Sequence, residues 1–598
     1  MSLNEEVKEI ILKHALLNAV KFGGKAKTDA VISKILSERP ELKQNIRSLI
    51  DLVKKIVEQV NSMTINEQKD RLLQIWPEAL SERKTEKEEK RLPPLPNVDK
   101  YKLIVTRFAP NPDGPLHLGS ARPIILSHEY ARMYKGKFIL RFEDTDPKLK
   151  RPILFIDKST EKREYDYIRK DVEWLGAKWD EEYIQSDRMD IYFKLAKELI
   201  EKGGAYVCTC DQDTFKKFRD TKKPCPHRNQ DIQINLELWE KMINGSFAEG
   251  EAVLRVKTDL AHPDPSVRDW VAFRIINIKK YPHPRIGKKY FVWPTYNFAA
   301  GVDDHLMNVT HVLRAKEHLT NTIKQSYLYK HMNWPMPEVI SFGRMKLEGI
   351  ILSKSKIRTG ISKGEYYGWD DPRLGTLMAL RRRGILPETI KEIIIDIGPK
   401  PIEATISWTN LASLNRKRLE TIANRYMFVR NGPWNEPPKL TITNADSLEA
   451  HLPFHPNYPE RGSRTLKVIT TNNTTTIYID YTDMYENNTI KLSPGSELRL
   501  MGLTNIRIVS VKEKEIIAEN IGNNLEYAKN KGLTIIQWVP TDNNVKIKVI
   551  MPGQIVYGIG EQIISKLTPN TSVQFYRFGF ARLDTITEKE IVFYYSHD

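Results

Sequence analysis

Two short stretches carry residue types and spacings suited to nucleotide chemistry. RFAPNPDGPLHLGSAR (107–122) places Gly114 and Gly119 in a loop that runs into a helix opening near Ser120. Glycines permit close backbone approach, and the first N–H groups of a helix have no partner within it, so such a loop can cradle a phosphate. His117 stands where an imidazole can donate to phosphate oxygens. The second stretch, IILSKSK (350–356), alternates Lys354 and Lys356 with Ser353 and Ser355. Two cations and two hydroxyls on a short, loop-like segment suit the charge that develops on a triphosphate during attack at its α-phosphorus. Taken singly, each has an ordinary alternative: a histidine in a glycine loop, and a solvated basic loop.

A third group has metal-ligand chemistry. Cys208, Cys210, Cys225 and His227 form C-x-C-x14-C-x-H, two close pairs of soft or borderline donors that suit tetrahedral zinc. All three cysteines of the chain lie in this pattern. Three reduced thiols without a metal are the alternative, since C-x-C is tighter than the usual C-x2-C.

These residues need elements to hold them. KLIVTRF (102–108) reads as a strand, the glycine loop follows, residues 120–134 read as a helix with Pro123 in its first turn, and KFILRF (137–142) as the next strand. That is a βαβ unit of a nucleotide-binding sheet, with the loop and Glu143 at strand C-termini, where such sheets bind ligands. A second half follows: helix 296–306, strand 308–314, helix 318–331 and strand 338–342. Between the halves, roughly 205–285 is an insertion with no obvious core of its own. Residues 4–80 show helical periodicity, with Gly23, Gly24 and Pro40 as breaks and Thr64 with Glu67 as a capping box. The charged run 81–91 and LPPLPN (92–97) read as a solvated tether. Beyond about residue 405, short strands such as IRIVSV and VKIKVI between turn residues predict one or two β-barrels.

Length and composition bound the rest. A chain of 598 residues corresponds to about three to five domains. No run approaches the ~18 apolar residues of a membrane span, and Glu5 and Glu6 stand where a secretory signal would be basic. Three cysteines exclude a disulfide framework, so a soluble protein of the cytoplasm, with no membrane partner, is expected. The net charge is +17. Residues 1–100 carry 19 basic and 16 acidic side chains and residues 405–598 carry 22 and 19, so most of the excess lies between them. A polyanionic partner is to be sought there, nucleic acid first.

Taken together, the first two stretches resemble the paired signatures of class I aminoacyl-tRNA synthetases. PLHLGS stands where the family has HIGH and ILSKS where it has KMSKS, with Ser120 in place of the final His and Ile351 in place of the first Lys. Both variants look like those of the glutamyl/glutaminyl branch. LRFEDTDP (140–147), VEWLGAKWDE (172–181), PTYNFAAGVDDHLMNVTHVLRAKEHLTNT (294–322) and WDDPRLGTLMALRRRG (369–384) resemble glutamyl-tRNA synthetases in order and spacing. SPGSELRLMG (493–502), IIQWVP (535–540) and VQFYRFGFARLD (573–584) are similar to the β-barrel tail of glutaminyl and archaeal or eukaryotic glutamyl enzymes, and the N-terminal helices resemble the archaeal extension.

The resemblance implies a multidomain α/β plus β protein. Its parts would be a helical N-terminal domain and linker (1–95), a Rossmann-like class I catalytic domain in two halves (96–204 and 286–345) around an acceptor-binding insertion with the zinc site (205–285), a KMSKS-like loop and connecting helical region (346–404), and a C-terminal β-barrel anticodon-binding domain (405–598). It further implies ATP with Mg2+, glutamate and tRNA-Glu as substrates, and a monomer; whether tRNA-Gln is charged too, as archaeal members commonly do, stays open. His117, Gly119 and Lys354 would be catalytic. Pro110, His117, Gly119, Ser120, Ser353, Lys354 and Ser355 would line the ATP site. Arg107 would pair with a substrate carboxylate, Glu143 hold the α-ammonium, Tyr296 contact the side chain, and Arg314 stand where glutaminyl enzymes carry Cys. Some glutamyl enzymes have a similar C-x-C…C-x-H zinc site in the acceptor-binding insertion. The rivals are a glutamine–tRNA ligase, against which Glu143 and Arg314 speak, and a non-catalytic tRNA-binding relative, against which the intact His117, Gly119, Lys354 and Arg107 speak. A truncated base-modifying relative would lack the barrels.

Overall fold

In the computed structural model, which describes residues 5–21, 23–39, 42, 46–77, 92–148, 161–487 and 489–598, the chain divides into two units, Met1–Arg91 and Leu92–Asp598. Among the described residues the first holds four α-helices, Glu5–Lys21, Thr28–Glu38, Ile46–Asn61 and Ile65–Ile75. Their periodic apolar faces bury Ile11, Leu16, Ile35, Leu49, Val53, Val60 and Leu72 in one core. Thr64 and Glu67 form the expected capping box, in which the Glu67 N–H donates to Thr64 Oγ1 and the Thr64 N–H to Glu67 Oε2. The charged run 81–91 and Pro40 lie outside the described residues.

In the second unit, strands Val105–Phe108, Lys137–Phe142 and Glu181–Ile184 pair in parallel, with Thr106 opposite Phe138 and Leu140 opposite Glu182. The first is shorter than the sequence suggests: Lys102 to Ile104 stay outside the strand. Strands His311–Ala315 and Glu338–Phe342 pair in parallel in the second half. Thr310 joins the halves, its N–H donating to Val105 O and its Oγ1 accepting from Val105 N–H, both at 2.9 Å. Helix Leu118–Met133 covers the junction, burying Ala121, Ile124, Ile125 and Leu126. All four of these parallel strands from the two halves, Val105–Phe108, Lys137–Phe142, His311–Ala315 and Glu338–Phe342, therefore end at one edge, as the sequence pattern requires.

The insertion packs into a core that it shares with the elements on either side of it. Strands Ala205–Cys208, Val253–Val256, Val271–Ile275 and Val292–Pro294 form an antiparallel sheet. Val207, Trp239, Leu254, Phe273 and Trp293 are buried in it together with Phe298 and Leu328 of the following helices. The apolar residues are too scattered along the chain to show this before the strands align.

The KMSKS-like segment is a loop only as far as Ser353. Ser353 precedes helix Lys354–Ser362, so Lys354 and Ser355 occupy its first turn. Alternation at i and i+2, read as loop-like, here turns Lys354 and Lys356 to different helix faces. Helix Trp408–Leu419 then precedes the β-rich tail. There, seven strands run in the order Asn424–Tyr426, Ser572–Phe575, Gly579–Ile586, Ile591–His597, Asn544–Ile550, Ile555–Glu561, Phe428–Arg430. The two edge strands are separated by Met427 alone, so the sheet curls into a nearly closed barrel. A second sheet of eight strands packs around Leu440, Ile477, Leu500 and Trp538.

Candidate active site

A cavity of about 620 Å3 opens at the C-terminal edge of the parallel strands. Seven of the residues singled out in the sequence line it: Arg107, His117, Gly119, Glu143, Tyr296, Arg314 and Ser353. They come from six separate elements, Ser353 standing just ahead of helix Lys354–Ser362. Arg107 is in strand Val105–Phe108, Glu143 follows strand Lys137–Phe142, Tyr296 opens helix Tyr296–Leu306, Arg314 is in strand His311–Ala315, and His117 precedes helix Leu118–Met133.

At one end the side chains form a buried ionic network. Arg107 grips Asp304 with Nε at 3.1 Å and Nη2 at 3.3 Å. Arg141 donates to the same carboxylate at 2.8 Å and to Glu143 at 2.9 Å. Burial alone would raise the Asp304 carboxyl, but Arg107 and Arg141 more than offset it and hold it at about 2. Behind it, Asp303 accepts from Arg188, Tyr192 and Gln185 at 2.7 to 3.1 Å. The sequence reading did not include Asp303, Asp304 or Arg141. Its available signal was two adjacent aspartates in an otherwise apolar helix, YNFAAGVDDHL.

Arg314 is held differently. Its Nη2 donates to Thr322 Oγ1 at 2.6 Å and Gln325 Oε1 at 2.9 Å, and Nη1 reaches the Tyr296 hydroxyl at 3.4 Å. Among the described residues no ion pair engages it, and its buried Nε has no partner. A buried guanidinium oriented only by neutral acceptors is a receptor for an anion. His318, also on the cavity wall, is pushed down to about 4 by burial and by Arg314, so it stays neutral and adds no competing charge.

At the other end, His117 is pushed down to about 4, first by burial and then by Lys354, and is a neutral donor at pH 7. Its Nδ1 is buried without a partner. A Cβ at Gly119 would lie 2.9 Å from His117 Cε1, so a side chain there would displace the imidazole. Backbone bonds fix the loop: Leu118 N–H donates to Gly375 O at 3.0 Å, and Leu377 N–H to Leu116 O at 2.9 Å. Pro110 links the two ends, its carbonyl accepting from Glu143 N–H at 2.9 Å. Ser120 lies in the first helical turn, and Ser353 Oγ is 3.1 Å from Ser355 Oγ. Lys354 is not among the cavity-lining residues. Its Nζ lies 2.6 Å from Asp113 Oδ1 and 3.2 Å from Gly114 O.

The Cys/His group assembles in the insertion. The ligand atoms of Cys208, Cys210, Cys225 and His227 lie within 4.8 Å of one another, with Cys208 Sγ to Cys225 Sγ at 3.9 Å and Cys210 Sγ to His227 Nδ1 at 3.4 Å. Metal–sulfur bonds of about 2.3 Å in a tetrahedron set sulfurs roughly 3.8 Å apart, so the donor set fits zinc. His227 Nε2 has Thr209 Oγ1 at 2.9 Å, which orients the ring.

Comparison with known proteins accords with this layout. A family model described as "tRNA synthetases class I (E and Q), catalytic domain" matches residues 103–421, and two models described as the anti-codon binding domain of the same class match 423–527 and 535–584. The glutamate--tRNA ligase of Pyrococcus furiosus is 48% identical over 603 residues, covering 99% of this chain and 100% of that protein. Those of Caldivirga maquilingensis and Sulfurisphaera tokodaii are each 48% identical, over 100% and 99% of this chain and all of theirs.

Proposed function

The chain belongs to the class I tRNA synthetases of the glutamyl and glutaminyl branch, and from that premise we infer that it is a glutamate–tRNA ligase. In the first step an α-carboxylate oxygen of glutamate attacks the α-phosphorus of ATP, the bond to the β-phosphate oxygen breaks, and pyrophosphate leaves. In the second, the 2′-hydroxyl of the tRNA 3′-adenosine attacks the carbonyl carbon of the mixed anhydride and AMP leaves. No protein nucleophile is required, because positioning and charge stabilisation supply the acceleration. Magnesium accompanies the triphosphate and offsets its charge.

In this reading Arg314, with Tyr296 beside it, takes the side-chain carboxylate. Glu143 takes the α-ammonium, and Arg107, kept in place by Asp304, supplies further positive field. His117, Gly119, Pro110, Ser120, Ser353, Lys354 and Ser355 form the ATP end, with Lys354 as the cation for the phosphates. The observation that carries the choice of glutamate is Arg314: a buried cation with neutral partners needs a charged ligand, and a glutamine amide offers none. tRNA-Glu is the acceptor, read by the C-terminal sheets, and tRNA-Gln is a second one. A structural zinc on Cys208, Cys210, Cys225 and His227 would brace the edge of the insertion; four-coordinate ligation by protein side chains leaves no open position for chemistry. No helix of the described residues is long and apolar enough to cross a membrane; our reading is of a cytosolic enzyme that acts as a monomer.

Aminoacylation of purified tRNA-Glu and tRNA-Gln with radiolabelled glutamate and ATP tests the assignment. Acid-stable charging of tRNA-Glu is expected. Its absence, with tRNA bound, would return the non-catalytic reading.

A further inference from the structure

We propose that Asp113 is a positioning residue that holds Lys354 back from the triphosphate site until ATP displaces it. This rests on the reading of the His117 and Lys354 segments as the ATP end of the cavity. Ser353, next in sequence, lines that cavity, whereas the Lys354 ammonium is drawn onto the Asp113 carboxylate at 2.6 Å and the Gly114 carbonyl at 3.2 Å. One helix thus grips the glycine loop at two points, because Arg358, one turn further on, donates Nη2 to the Asp113 carbonyl at 2.7 Å.

The two partners are unequally free to move. Asp113 sits in a turn closed by its own N–H to Asn111 O at 2.9 Å. The next residue, Gly114, has φ +126° and lies under the Trp369 ring, which would be 3.3 Å from a Cβ there. The loop is therefore fixed by backbone and aromatic contact, while Lys354 has a four-carbon stem that can swing. Exposure decides how tightly the pair holds. The side chains are 17% and 35% exposed, so water competes and the pair can be exchanged. A triphosphate presents several anionic oxygens against a single carboxylate and takes the ammonium. His117, neutral at pH 7, cannot supply that charge in its place. The effect is to tie the cation's arrival in the site to the arrival of the nucleotide.

The test is Asp113→Asn, measured by equilibrium binding of ATP and by the ATP dependence of charging, both with tRNA present. Removing the competitor should lower the apparent Kd and the KM for ATP about two- to fivefold, the range of a partly exposed pair, with kcat changed less. A structural role for Asp113 would not predict this split, nor its dependence on Lys354. In a Lys354→Ala background the same substitution should change ATP affinity by less than the error. The inference is overturned if Asp113→Asn weakens ATP binding, leaves it unchanged, or acts equally with and without Lys354. Should the wild-type chain bind no ATP at all, the assignment of the ATP end falls with it; normal wild-type binding without the shift removes this inference alone.

Discussion

At the end of the cavity that we assign to the amino acid, Arg107, Arg141 and Asp304 are buried and Glu143 is nearly so, joined by hydrogen bonds of 2.8 to 3.3 Å. At the end we assign to the nucleotide, Lys354 is paired with one carboxylate that is a third exposed. The contrast follows from what each end must do. Glutamate and glutamine are nearly isosteric, so shape cannot separate them and charge must. Fixed charges discriminate only if desolvated and oriented before the ligand arrives, and the network of aspartates and arginines sets that on folding. ATP needs no such discrimination at its phosphates. A cation there can be mobile and weakly paired, and gains by being exchangeable.

Substitutions that invert this contrast give the sharpest checks. Arg314→Cys, which installs the residue of glutaminyl enzymes, should lower kcat/KM for glutamate by more than about a hundredfold, since a charge-assisted contact of ~3 kcal/mol is lost. ATP affinity should be preserved, because His117 and Lys354 are untouched. Wild-type glutamate kinetics in this variant would make Arg314 structural and remove the distinction between the two ends. Asp304→Asn should come next. It leaves Arg107 and Arg141 short of a buried partner, so a fall in stability of about 3 kcal/mol is expected in chemical denaturation. About a tenfold loss in glutamate use should accompany it, again sparing ATP. Equal damage to both substrates would mean that the two ends are one coupled unit.

Removal of the Cys/His cluster should have the smallest effect on either end. Trp239 and Phe273 of the insertion are buried in an apolar core that continues into Trp293, Phe298 and Leu328, while the cysteines pack in a separate small cluster with Tyr206 and Phe215. Cys225→Ser should therefore lose about one zinc per chain by elemental analysis, yet leave KM for glutamate and ATP within about twofold. A metal-free wild-type protein, or a collapse of amino-acid activation in the variant, would contradict this.

Much of this arrangement is legible in the sequence, and the gaps have physical causes. Glu143 and the loop of His117 are marked by their places at strand C-termini, whereas Arg107, Tyr296 and Arg314 are marked by the resemblance to glutamyl enzymes. The helical N-terminal unit and its capping box follow from period and cap chemistry. Asp113 and Asp304 escape because their roles arise from partners 241 and 197 residues away in sequence. The helix that opens at Lys354 is not legible because alternating Lys and Ser carry no helical period; packing of Ile357 against Leu374 and Ala379 anchors it. The core of the insertion was missed because its four strands come together only when residues 205 to 294 fold over one another.

The central claim is that charge at Arg314 selects the amino acid. The most direct test is steady-state charging of tRNA-Glu by the wild-type chain, with glutamate and glutamine compared separately at saturating ATP. The account predicts a kcat/KM for glutamate at least about a thousandfold above that for glutamine, because the amide would leave the buried guanidinium unpaired. Glutamine used within tenfold of glutamate would contradict it.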